Sequence, residues 1–204
     1  GDKIYKLSKI LLSDNIYNVY DRLVSHWDNS FEVVIGCQEK TGKSDQDTYF
    51  SHPEEGMMLL DSITFLPDDI LVKVDRAAMS VSLETRAPFL DHHVVEFGYN
   101  LPQKYKVADL KGKVILRDLL ARYIPRNIFE RPKMGFGVPI DSWLRGPLRD
   151  WAENLLDESR LRQEGYLHPL PIRKKWEEHI SGRRNWQHHL WDVLMFQAWL
   201  EEQS

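Results

Sequence analysis

Residues 68–97 read DDILVKVDRAAMSVSLETRAPFLDHHVVEF, and the fold turns on how they are read. Residues 69–82 carry apolar positions at helical spacing, and residues 92–100 do so again before Asn100-Leu101-Pro102 ends the run. Between them, Thr85-Arg86-Ala87 precedes Pro88, and a proline pushes the residues before it toward extended backbone. Two helices joined by an extended turn, without period-two alternation, indicate an all-α arrangement.

The same reading extends outward. His52-Pro53-Glu54-Glu55 opens a helix with an early proline and acids in its first turn, and that helix runs to about Phe65. Leu66-Pro67 is expected to break it, with Asp68 or Asp69 capping the next. Residues 112–123 and 141–156 are further helices. Residues 131–139 (RPKMGFGVP) hold too many prolines and glycines for regular structure. Residues 186–201 form the most apolar helix. Trp186, Leu190, Val193, Leu194, Gln197 and Leu200 follow one face and Trp191, Met195 and Trp199 another, which predicts a helix buried on most sides. Toward the start, residues 2–27 read as helix with a break and cap near Ser13-Asp14-Asn15. Val33-Val34-Ile35 reads as a short extended piece and residues 36–50 as a polar loop.

The chain has 204 residues and a net charge of −4, so it carries no general basic field for nucleic acid or an anionic membrane surface. No apolar run approaches the ~20 residues of a membrane span. One cysteine, Cys37, excludes an internal disulfide framework and points to a reducing, cytoplasmic compartment. There is no initiator methionine, which suggests a piece of a longer chain.

Phosphate loops of the GxxxxGK[ST] or GxGxxG type are absent, as is a GxSxG elbow. His92-His93 and His188-His189 lack the i, i+4 spacing that would put two ligands on one helix face, so no metal is expected. Three polar clusters stand out. Lys73-Val74-Asp75-Arg76 lies in an otherwise apolar helix, where charges need partners; an internal ion pair is one reading and a site border the other. Glu84, Arg86 and Asp91 flank Pro88 and suit a structural turn as well as a site. Lys113 follows Gly112 in what the pattern makes the first turn of a helix, where a lysine is normally disfavoured by about 0.3–1 kcal/mol. A phosphate-like partner would explain it; an exposed lysine is the alternative.

Four segments occur in order: residues 68–97, GKVILRDLLARYIP at 112–125, RPKMGFGVPIDSWLRGPLRDW at 131–151, and WQHHLWDVLMFQAWL at 186–200. Together they resemble the C-terminal region of the glutamine-hydrolysing asparagine synthetase family. The resemblance covers residues 1 to about 201 and is most specific over 66–145. It implies a mainly α, multi-helical fragment of an α/β adenine-nucleotide α-hydrolase-like (ATP pyrophosphatase) synthetase domain. Residues 1–50 would be a variable helical lead-in and loop, like that of capsule- and exopolysaccharide-associated members, and 51–204 the helical C-terminal region.

A full-length member releases ammonia from glutamine in an N-terminal domain, adenylates aspartate with ATP and Mg²⁺ at a Ser-Gly-Gly-x-Asp-Ser loop, and forms asparagine. Neither that loop nor the glutaminase cysteine occurs here, so this piece alone is expected to be inactive and to bind no cofactor. Its expected partners are aspartate, ATP, ammonia, the glutaminase and ATP-binding segments of the same protein, and further copies of itself. By the resemblance, Lys113 is the catalytic lysine at the α-phosphate and acyl-adenylate. Arg117, Lys133, Asp75 and Arg76 line the substrate and phosphate pocket, and Glu84, Arg86 and Asp91 brace it. Two alternatives stay open: an amidotransferase acting on another acid, and a non-catalytic helical module that binds a partner protein.

Overall fold

The computed structural model describes residues 11, 15–27, 29–37, 50, 52–132, 135 and 137–203. In chain order, α1 (Ile16–Val24) is followed by a 3-10 turn at Ser30–Glu32, α2 (Pro53–Ile63), a π-helical segment (Leu66–Leu71) and α3 (Val72–Met79). A 3-10 turn at Pro88–Leu90 leads to α4 (His92–Asn100), α5 (Gln103–Lys106), the strands β1 (Val107–Ala108) and β2 (Lys111–Gly112), α6 (Val114–Leu120) and α7 (Arg126–Phe129). The last five helices are α8 (Ile140–Arg145), α9 (Arg149–Leu155), α10 (Glu158–Glu164), α11 (Pro169–Ile180) and α12 (Gln187–Gln203). The chain forms two compact units, one from residues 1–48 and 136–204, the other from 49–135. Among the described residues no helix is long and apolar enough to cross a membrane.

Local chemistry accounts for many helix ends. Asn15 caps α1 by accepting a 2.9 Å bond from the Asn18 N–H, and Asp157 caps α10 in the same way from Arg160. Gly165, at φ 75°, closes α10 in the left-handed conformation that glycine tolerates. The extended piece expected near residue 34 is a single antiparallel bridge, Val34 to Leu167.

Three expectations change. Leu66-Pro67 does not end the helix: Pro67 sits in the first turn of the π-helical segment, where its missing N–H is an orphan anyway, and the chain continues into α3. Residues 141–156 are two helices, because Gly146-Pro147 interrupts the ladder after Arg145. The face Trp191, Met195 and Trp199 of α12 is not deeply buried; Trp199 is 55% exposed, while Leu190, Val193, Leu194 and Gln197 are inside. The core of this unit is small enough that one face of α12 fills it. Helices α10 and α11 lie where the sequence pattern assigned nothing.

That core joins α8 to α12 around Leu144, Leu155, Leu156, Leu161, Ile172, Trp176, Leu190 and Leu194. Fully burying one such side chain stabilises by about 1.5–3 kcal/mol. Polar groups inside it are mostly bonded, as burial demands. Gln197 Nε2 donates to Glu164 at 2.7 Å and to the Leu155 carbonyl at 3.3 Å. His179 is fully buried and its Nδ1 accepts from the Trp186 N–H at 3.1 Å, so Nε2 carries the proton of the neutral ring. That Nε2 has no hydrogen-bond partner; Asp141 stands 3.6 Å away and is engaged by Arg145.

Burial pushes the His179 imidazole below its ordinary value near 6.5; the Arg145 charge adds to this and Asp141 opposes it. The unfolded chain therefore binds that proton more readily than the folded one. The stabilisation is complete above about pH 6.5 and is lost as pH falls through the lower, folded value. The melting temperature should fall between pH 7 and pH 5 more steeply for this chain than for His179→Gln, which has no titrating ring. Equal slopes would remove His179 as the cause.

The unit 49–135 differs. Among its described residues only Gly56 is buried, and Met79, Val81, Leu83, Phe89 and Phe97 are all more than half exposed.

Candidate functional site

Between α5 and α6 the chain forms a tight antiparallel ribbon, Val107 opposite Gly112 and Ala108 opposite Lys111. The sequence pattern gave no strand here. The two-residue turn, Asp109-Leu110, has both residues left-handed at φ 50° and 60°, the geometry that matches strand twist in short hairpins. Glycine and asparagine adopt it readily; a leucine there costs about 1–2 kcal/mol.

Lys113 follows at once and is left-handed too, at φ 62° and ψ 38°. It stands before α6, not in its first turn as the sequence suggested, because the strand ends at Gly112 and the chain must reverse its curvature to enter the helix. The case for an anion thus rests on the ammonium itself rather than on the helix end. Among the described residues the Lys113 side chain is exposed and has neither a hydrogen bond nor an ion pair. Three non-glycine residues in left-handed backbone within five positions is the kind of strain that collects at functional sites.

Arg117 lies one turn into α6. Its Nε donates to the Gly112 carbonyl at 3.0 Å, and its backbone N–H donates to the Lys113 carbonyl at 3.0 Å. Behind it, Arg126 reaches Asp118 at 2.7 Å and Glu130 at 2.8 Å. Hydrogen bonds from Arg126 hold the Glu130 carboxyl below the usual carboxylate range, helped by the charges of Lys111 and Arg117. Asp118 first, then Glu130, raises the Arg126 guanidinium further. These side chains surround a hollow of about 130 Å³. Asp118, Arg126 and Glu130 escaped the sequence reading. The i, i+4 spacing of Arg126 and Glu130 was a signal; the link to Asp118, across the Ile124-Pro125 turn, left none.

The other expected residues are placed as follows. Asp75 and Arg76 are exposed on α3, and no hydrogen bond or ion pair joins them to each other or to Lys113 or Arg117. The internal ion pair considered for that cluster is absent, since α3 presents these charges to solvent; Lys73 instead pairs with Asp69 at 3.3 Å. Glu84 and Arg86 form an exposed 2.5 Å pair, a type that contributes roughly 0–1 kcal/mol. Asp91 caps α4 by accepting from the His93 N–H at 2.9 Å. Lys133 lies outside the described residues.

An asparagine synthase family model matches residues 4–201. A glutamine-hydrolysing asparagine synthetase of Bacillus subtilis is 32% identical over 143 residues, covering 70% of this chain and 22% of that protein. A putative glutamine-hydrolysing asparagine synthetase of Mycobacterium bovis is 38% identical, covering 72% and 22%. The asparagine synthetase of Rattus norvegicus is 28% identical, covering 80% and 33%. No solved structure matches significantly. The chain thus spans between a fifth and a third of the length of these relatives. A match over nearly its whole length, with the ribbon, Lys113 and α6 inside it, means that the chain belongs to the asparagine synthase family.

Proposed function

We propose that this chain is the helical C-terminal part of the synthetase domain of a glutamine-dependent asparagine synthetase, and that Lys113 is its catalytic residue. In this reading ATP activates the aspartate side chain as β-aspartyl-AMP, and ammonia from glutamine displaces AMP. What this chain supplies is charge: an ammonium set in advance beside the phosphate and the tetrahedral centre stabilises the negative charge that builds there. The supporting observation is Lys113 itself, the lysine of the GKVILR motif, exposed without a carboxylate partner on strained backbone. A free cation suits a phosphate. Mg²⁺ is a different matter: among the described residues no three His, Cys, Asp or Glu side chains gather to hold a metal, and no step here runs through it.

Asp75, Arg76 and Lys133 belong to the rim of the same pocket in this reading. The exposed apolar side chains of residues 79–97 suit a face that packs on the ATP-binding half of the same protein. Cys37, exposed and unpaired by any disulfide, suits a reducing cytoplasm.

Two assays test the proposal. The full-length protein, given aspartate, ATP and ammonia, should form asparagine and release pyrophosphate. A different amide would keep the reaction class and change the acceptor, and no ATP-dependent amide formation would overturn the proposal. The isolated 204 residues should show no ATP-to-pyrophosphate turnover, because they contain no backbone loop to cradle the phosphates. Turnover well above a buffer blank would refute the division of labour proposed here.

A further inference from the structure

We infer that Arg117 is a positioning residue that fixes the backbone of Lys113, with Asp118, Arg126 and Glu130 holding Arg117 in place; this rests on the proposed role of Lys113. The φ and ψ of a residue are set by the relative orientation of the two peptide planes that flank it. Arg117 grips both planes at position 113. Its side chain bonds the Gly112 carbonyl, in the plane before, and its own N–H bonds the Lys113 carbonyl, in the plane after, each at 3.0 Å. One residue thereby holds lysine in a left-handed conformation that lysine disfavours.

The guanidinium is held in turn. Glu130 feels the charges of both Arg117 and Lys111, one from each side of the ribbon-to-helix junction. Its carboxylate is fixed by Arg126, which Asp118 anchors to α6. The whole arrangement serves the two peptides around position 113. Arg117 is therefore assigned to the lysine rather than to the phosphate, the role the family resemblance implied for it.

The test is a double-mutant cycle in the full-length protein, with ammonia supplied directly and kcat and the KM for ATP measured separately. Arg117→Lys keeps the charge but cannot reproduce the Nε bond, because its donors sit on a terminal ammonium. It should lower kcat roughly tenfold to a hundredfold, the scale of a small misplacement of a catalytic group, with the KM for ATP changed less than about twofold. In a Lys113→Ala background the same substitution should change kcat by less than about twofold, since residues acting as a unit do not multiply. Multiplying losses, or a rise in KM with kcat unchanged, would make Arg117 a substrate ligand and overturn the inference. If Lys113→Ala alone is neutral, it is the proposed function that fails, and the cycle shows this separately. Should Arg117→Lys not fold, Arg126→Gln carries the same cycle, with a smaller kcat loss that again vanishes in the Lys113→Ala background.

Discussion

Replacing Lys113 by alanine in the full-length protein is expected to lower ammonia-dependent amide formation by roughly 100- to 1000-fold, while glutamine hydrolysis and the fold persist. A charged donor at a developing anion is worth about 2.7–4 kcal/mol in the transition state, which sets that range. The structure adds a control. Lys113 is left-handed, so Lys113→Gly relieves about 1–2 kcal/mol of backbone strain, offset by the roughly 0.5–1 kcal/mol that glycine loses in ordering. The melting temperature of Lys113→Gly should therefore stay level or rise while its synthetase rate falls as far as that of Lys113→Ala. Lys113→Arg should also be poor, because a planar fork does not replace a compact point charge. Measuring amide formation with ammonia removes glutamine hydrolysis from the readout. A Lys113→Ala rate above about a third of wild type would leave Lys113 an ordinary surface lysine, since it falls far short of that electrostatic loss.

Trp176→Ala carries the largest expected loss of stability. Trp176 is 2% exposed at the centre of the core, and its indole N–H donates to Glu153. Truncating a buried tryptophan costs about 3–5 kcal/mol through lost burial and the cavity left behind. In a domain of this size each kcal/mol lowers the melting temperature by about 2–4 °C, so a drop of roughly 6–20 °C is expected. Glu153 keeps a 2.7 Å ion pair with Arg173, which limits the cost of its lost donor. Trp199→Ala, at an exposed position on α12, is the comparison and should change stability by less than about 0.5 kcal/mol. Similar losses for the two would mean that the exposed face of α12 contributes as much as the core.

Much of the helical layout was legible because its signals are local. A cap or a first-turn proline acts over three or four residues, so Asn15, Pro53 and Asp91 marked the starts of α1, α2 and α4 from sequence alone. The Gly-Pro break after Arg145 was equally present at Gly146-Pro147, but the apolar spacing on either side masked it. Pro67 misled in the opposite sense. Proline stops a helix only where its N–H is needed, and whether the chain resumes in the same turn depends on the segments around it.

The sequence by itself determined that this is a mainly helical member of the asparagine synthase family, with its candidate lysine in GKVILR. Helical period and caps are properties of neighbours along the chain, and ordered motifs survive in sequence. Only the tertiary structure decided that Lys113 is left-handed and outside α6, that Arg117 spends its Nε on the Gly112 carbonyl, and that Arg126 ties Asp118 to Glu130. It also decided that His179 is the buried histidine, through a bond from Trp186, and that Gln197 meets Glu164 from 33 residues away. Such facts depend on which distant groups share a space and exclude water from it, and burial and pairing between them leave no period in the chain.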